Sequence, residues 1–117
     1  MKYAIQVNAG PCSGQAARTA YQFIKAALDK DHEIVCVFFY HDGVYNALRS
    51  GLSAEDKDSV PPWPDLVDKH GIDMVVCVSA AERRGMRATG ADGFRIGGLG
   101  QWMDACLKAD RVLVFGG

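Results

Sequence analysis

The chain carries four cysteines, Cys12, Cys36, Cys77 and Cys106, and they are its strongest candidate nucleophiles. They are widely spaced. No CxxC pair is present and no Cys/His spacing fits a zinc site, so no metal centre is expected. Each thiol therefore acts alone, either as a small packed hydrophobe or as a reactive thiolate. Cys77 has the setting that favours reactivity. In "DMVVCVSAAERRG", residues 73–85, a strand-like apolar run ends in Cys77 and helix formers follow at once. A helix beginning at Val78 or Ser79 points its unpaired amides toward the sulfur, with roughly half a positive charge at that end. Such a terminus stabilises a thiolate. The Ser79 hydroxyl or a backbone amide would bond an anion held on the sulfur, and Arg83 and Arg84, about two turns on, add positive potential. The competing readings are a strand-end cysteine that simply packs, and arginines that form a solvated helix face.

The other chemistry-bearing residues are less constrained. Cys12 lies in "NAGPCSG", the loop after the first strand, where Ser13 is placed to cap a helix and Cys12 is a possible secondary thiol. That loop lacks the length and the lysine of a phosphate-binding P-loop. Cys36 sits within an apolar strand and Cys106 on the apolar face of the last helix, so both are expected in the core. "CVSAAER" has the C-x5-R spacing of cysteine phosphatases, but the loop has no glycine, favours helix, and places Glu82 where a dianion would sit. "GGLG", residues 97–100, is not a dinucleotide fingerprint and is expected to make a tight turn. No Ser-His-Asp set is assignable. Tyr40 and His41, with Asp42 and Tyr45, follow the second strand and are placed to line the same rim as Cys77, His41 reading otherwise as a solvated loop residue. His32 precedes a strand, and His70 ends a helix, where it favours the dipole. Trp63 and Trp102 read as packing anchors.

These residues must be positioned by alternating strands and helices. "KYAIQV" (2–7), "EIVCVFF" (33–39), "IDMVVCV" (72–78) and "RVLVF" (111–115) read as strands, the middle two covered on both faces, and "GFRI" (93–96) as a minor strand. Residues 15–29 repeat apolar groups near the helical period through Ala16, Ala20, Phe23, Ala27 and Leu28. Residues 98–108 do so through Leu99, Trp102, Met103, Cys106 and Leu107. Pro64 fits the first turn of a helix over 64–70 that Gly71 ends, and Asp42 is placed to cap a short helix over 43–49. Residues 50–63 form a long irregular segment of the kind that is either functional or a solvated loop. Strands alternating with helices imply parallel pairing and right-handed crossovers. The expectation is α/β: one small, doubly wound, mainly parallel five-stranded, flavodoxin-like sandwich over residues 1–117. Chemistry in such sheets gathers outside the carboxyl ends of the strands, where Cys77 and Cys12 fall.

The 117 residues, 49% of them hydrophobic, suit one domain with a real core. A formal net charge of −1 gives no bulk attraction to nucleic acid or anionic lipid. No apolar run is long enough for a membrane-spanning helix, and the apolar stretch Tyr3–Val7 is too short for a signal peptide core. A cytoplasmic protein with reduced thiols is expected. The sequence stops at "VLVFGG", with no helix after the last strand, so an uncovered apolar surface and a partner subunit that buries it are expected.

Three motifs together, "FFYHDGVYNA", "CVSAAERRG" and "GLGQWMDACLKADRVLVF", resemble the DsrE/TusD subunits of sulfur-relay complexes over nearly the whole chain. The departures are a shorter segment before Gly97 and the extra thiol Cys12. The resemblance implies a DsrE-like fold and a sulfurtransferase without cofactor. It implies a hexamer with DsrF/TusC-like and DsrH/TusB-like sister subunits. It places the active cysteine at Cys77, which would take sulfane sulfur as a persulfide from a TusA-like donor. The acceptor would be a DsrC/TusE-like protein, in tRNA 2-thiouridine synthesis or in dissimilatory sulfur oxidation. The alternative is a non-catalytic binding subunit in which Cys77 is structural.

Overall fold

The computed structural model describes residues 1–47, 60–86 and 93–116. Its centre is a parallel sheet of five strands: β1 (Lys2–Val7), β2 (Glu33–Phe39), β3 (Met74–Cys77), β4 (Phe94–Gly97) and β5 (Arg111–Phe115). Their order is β4-β3-β2-β1-β5, and every neighbouring pair is parallel. The segment expected as a minor strand is a full member of this sheet, and β3 is shorter than its apolar run because Val78 already belongs to the next helix.

Helices α1 (Ala16–Asp29) and α2 (Trp63–His70) cover one face. Phe23 of α1 packs edge-on against Tyr3, and Trp63 of α2 edge-on against Phe39, with ring centroids 5.2 and 5.0 Å apart. The buried stripe of α1 is Ala17, Ala20, Ile24 and Ala27, rotated slightly from the expected one; Phe23 and Leu28 flank it half-buried. α2 ends at Gly71, whose left-handed backbone (φ 64°) lets its N–H reach back to Val67.

After β4 the chain must return past β1 to lay down β5. A right-handed crossover in that reversed direction puts its helix on the other face. Accordingly α4 (Leu99–Lys108) lies opposite α1 and α2, its Trp102 stacked on Phe38 at 5.4 Å. Between β3 and β4 comes α3 (Val78–Arg83), a six-residue helix. Only Trp102 and Ala105 of α4 are buried. Leu99, Met103 and Leu107, expected in the core, are exposed, and so are Val112 and Val114 on the α4 side of edge strand β5. One helix cannot cover that face of a five-stranded sheet, so a flank of apolar surface remains open. Among the described residues no helix is long and apolar enough to cross a membrane.

Candidate active site

Strand order reverses between β1 and β5, the usual crevice for a ligand in such sheets. Here the backbone closes it. The Asn8 N–H donates to the Phe115 carbonyl at 2.9 Å, and Ala9 packs on Gly116. Cys12, in the loop that follows, is exposed, but Ser13 caps nothing: α1 begins after Gln15, without a side-chain cap.

The carboxyl ends of β2, β3 and β4 are arranged differently. Cys77 is the last residue of β3 and the cap residue of α3, with extended backbone (φ −66°, ψ 118°). The strand-to-helix handover therefore occurs at the thiol, as its sequence context predicts. Cys77 pairs in register with Gly97 on β4. On its other side Phe39 pairs with Val76, so the next residues, Tyr40 and Cys77, leave the sheet side by side. Alternation puts Cys77 on the face of Val75, Phe38 and α4. The sulfur is covered: Cys77 is 1% exposed. Its freedom from disulfides is shared by all four cysteines.

The remaining expected site residues fall around this edge, though not all near the sulfur. Tyr40 stacks on His41 (centroids 4.1 Å, 27° between planes) and leans on Phe38. His41 takes a left-handed backbone (φ 49°), which turns the chain out of β2 into a 3-10 helix, His41–Ala47. Asp42 does not cap that helix. Its carboxylate accepts a 2.8 Å hydrogen bond from Arg84 Nε, and Arg84 Nη1 donates to the Ala80 carbonyl. Arg84 thus clips the 3-10 helix to the end of α3, and its guanidinium is engaged rather than open to an anion. Arg83 is exposed at the far end of α3, about 9 Å along the helix from the thiol. Ser79, in the first turn, is exposed.

Two residues that the sequence reading passed over hold this edge together. Asn46 is fully buried and fully bonded. Its Nδ2 donates to the carbonyls of Ala9 and Gly43, and its Oδ1 accepts from Trp63 Nε1 at 3.0 Å. It ties the loop after β1, the 3-10 helix and α2 into one unit. Gly43 lies so close to the end of β1 that a side chain there would fall on the Val7 carbonyl oxygen. The signal was a small residue and an amide just past a strand end, in "HDGVYN", where both are common in any turn.

The two other thiols differ. Cys36 is buried, and burial followed by the nearby Asp73 carboxylate pushes its pKa up to about 12. Asp73 itself accepts from Arg95 Nε and Nη2, each at 2.8 Å. Cys106 is only half-buried, contrary to its expected core placement, because α4 meets the sheet along Trp102 and Ala105; partial burial still raises its pKa. "GGLG" carries the chain from β4 into the last helix through Gly98 alone, in extended backbone (φ −124°, ψ −178°) that any residue adopts.

The DsrE/DsrF-like family model matches residues 1–115. The chain belongs to that family. It is 48% identical to DsrE of Allochromatium vinosum, covering 99% of each chain. It is 42% identical to the sulfurtransferase TusD homolog of Pseudomonas aeruginosa, covering 100% of this chain and 98% of that one. With sulfurtransferase TusD of Salmonella arizonae the identity is 40%, over 98% and 100% of the two chains. The first alignment spans 129 positions against the chain's 117 residues, so the relative carries residues this chain lacks. A crystal structure of the ychN protein from E. coli shares the fold, with a TM-score of 0.78 at 21% identity over 98% of this chain and 99% of that one.

Proposed function

We propose that this sulfurtransferase carries sulfane sulfur as a persulfide on Cys77 and relays it between protein thiols in the cytoplasm. The supporting observation is the placement of Cys77 as both the last residue of β3 and the cap of α3, in a family whose relatives are named sulfurtransferases. The Cys77 thiolate attacks the outer sulfur of a donor persulfide. A Cys77–sulfur bond forms, the donor's S–S bond breaks, and the donor leaves as a thiolate. An acceptor thiolate then attacks that outer sulfur, and Cys77 departs as the leaving group. Each step is thiol exchange and needs no outside oxidant or reductant.

Tyr40 leaves the end of β2 beside the end of β3, with His41 stacked on it, and Ser79 supplies a hydroxyl in the first turn of α3. Arg83, with the paired Arg84, gives the outer end of α3 a cationic surface suited to steering an acidic partner. A TusA-like donor, a DsrC/TusE-like acceptor, and a hexamer with DsrF/TusC-like and DsrH/TusB-like subunits complete the reading. The open apolar flank of α4 and β5 supports the assembly. Because the sulfur is covered, transfer requires its cover to open when a carrier docks.

The test is intact-mass spectrometry after incubation with a persulfide donor. One sulfur atom should be gained at Cys77, and the gain should vanish in Cys77→Ser. A gain of equal size in that variant would overturn the assignment. The 1% exposure of Cys77 favours a second reading, a binding subunit whose Cys77 only packs. On that reading neutral-pH alkylation is equally slow at Cys77 and Cys36, and no sulfur is taken up.

A further inference from the structure

We infer that Gln101 is a catalytic residue of the sulfur relay, its carboxamide resting against Cys77 as both cover and hydrogen-bond donor for the sulfur anion. The inference rests on the persulfide reading above and adds a residue to it. It begins at Gly97. Cys77 and Gly97 are register partners on neighbouring parallel strands, which run about 4.8 Å apart. Paired residues in a parallel ladder point to the same face. A Cβ built on Gly97 would lie 2.7 Å from Val75 Cγ1, which fixes that face as the one under α4. The same Cβ would fall on Gln101 Oε1, with Gln101 Cδ at 2.8 Å. The carboxamide of Gln101 therefore occupies the space a side chain on Gly97 would fill, next to Val75 and on the strand that neighbours Cys77.

The local backbone explains this placement. Gln101 sits in the first turn of α4, and its N–H donates to the Gly98 carbonyl. Its side chain folds back over the strand end from which the helix springs. Gln101 is exposed, and among the described residues its carboxamide bonds no protein group, so it is free to turn. Rotation about its last bond presents Nε2 in place of Oε1. A persulfide on Cys77 is an anion, and among the described residues Arg84 and Arg95 are already paired, with Asp42 and Asp73. An uncharged N–H donor there stabilises the anion without binding it so tightly that transfer stalls. On the other side Tyr40, the residue after Phe39, leaves β2 next to the end of β3. The titratable groups on the elements that meet at this edge are Tyr40 and His41 beyond β2, Asp42 with Arg84 on the 3-10 helix and α3, Glu82 and Arg83 on α3, and, lining a hollow with Gln101, Asp104 and Lys108 on α4 and the Asp73–Arg95 pair. None changes in the variants below.

The roles of cover and donor separate experimentally. The full chain, with Gln101→Ala and the isosteric Gln101→Glu, is equilibrated with inorganic polysulfide at fixed thiol. Cys77 persulfide occupancy is then read by mass, together with the rates of gain and loss. A residue that only covers changes both rates equally and leaves occupancy unaltered. A donor to the anion lowers the equilibrium ratio of persulfide to thiol, by about tenfold in Gln101→Ala for a hydrogen bond to a charged group, and further in Gln101→Glu. Unchanged occupancy in both variants overturns the donor role. A second measurement needs no sulfur transfer. The ratio of iodoacetate to iodoacetamide rates at Cys77 should fall about fourfold or more in Gln101→Glu, the effect of a like charge about 5 Å away even in water. An unchanged ratio means Gln101 does not touch the thiol. A wild-type Cys77 that takes no sulfur while this ratio falls would sink the relay reading and leave the contact standing.

Discussion

Cys36 and Cys77 point to the same face of the same sheet, and both are buried, at 4% and 1% exposed. Cys36 lies mid-strand in β2, paired with Ala4 of β1, with the carboxylate of Asp73 near it. Every nearby influence but Arg95 favours the protonated thiol. Cys77 lies where the ladder ends: β3 stops, α3 starts, and the neighbour on β4 has no side chain. On the proposed reading burial alone does not separate an inert thiol from a reactive one; position along the strand does, because the strand end meets the first amides of α3.

The sharpest way to break this contrast is to exchange the thiols' roles. Cys77→Ser should abolish sulfur uptake from a persulfide donor, while Cys36→Ala should keep it, both read by intact mass. Uptake that follows Cys36 would reverse the comparison. Next in size is access: neutral-pH alkylation with iodoacetamide should modify Cys77 at least tenfold faster than Cys36, since only thiolate reacts and Cys36 is held protonated. Peptide mapping after short exposure measures it.

The edge itself can be loosened. Asn46→Ala removes three hydrogen bonds and strands Trp63 Nε1 with two carbonyls, so urea unfolding should show a loss of about 3 kcal/mol. A smaller effect separates the mid-strand region by pH. The folded Cys36 keeps its proton up to about 12, whereas an ordinary thiol loses it near 9.0. The folded state binds the extra proton within that window, so stability falls as pH rises from about 9 toward 12. The slope of the melting temperature over that range should be shallower in Cys36→Ala. Smallest of all, Arg84→Met should cost about 0.5 kcal/mol, because the Asp42 partner of this pair is 60% exposed.

Much of this was legible in the chain. The strand runs, the α/β alternation and the thiol at the β3–α3 junction follow from local pattern. What was not legible depends on contacts between distant segments. Asp42 read as a cap, yet Arg84, far along the chain, claims it. Leu99, Met103 and Leu107 have the helical spacing of a core face, yet they are exposed. Which side of an amphipathic helix meets the sheet is decided by packing, and Trp102 with Ala105 won. Gln101 gave no signal at all, since its significance comes from Gly97 and the register of β4 against β3.

The exposed flank has a thermodynamic side. Leu99, Met103, Leu107, Val112 and Val114 stand in water together along one helix and one edge strand. At about 25 cal/mol for each square ångström of apolar area, a few hundred square ångströms shielded there would release several kcal/mol. Purified in isolation, the chain would draw on that reserve by sticking to its own kind or to vessel walls. Produced beside a matching surface, it would stay dispersed.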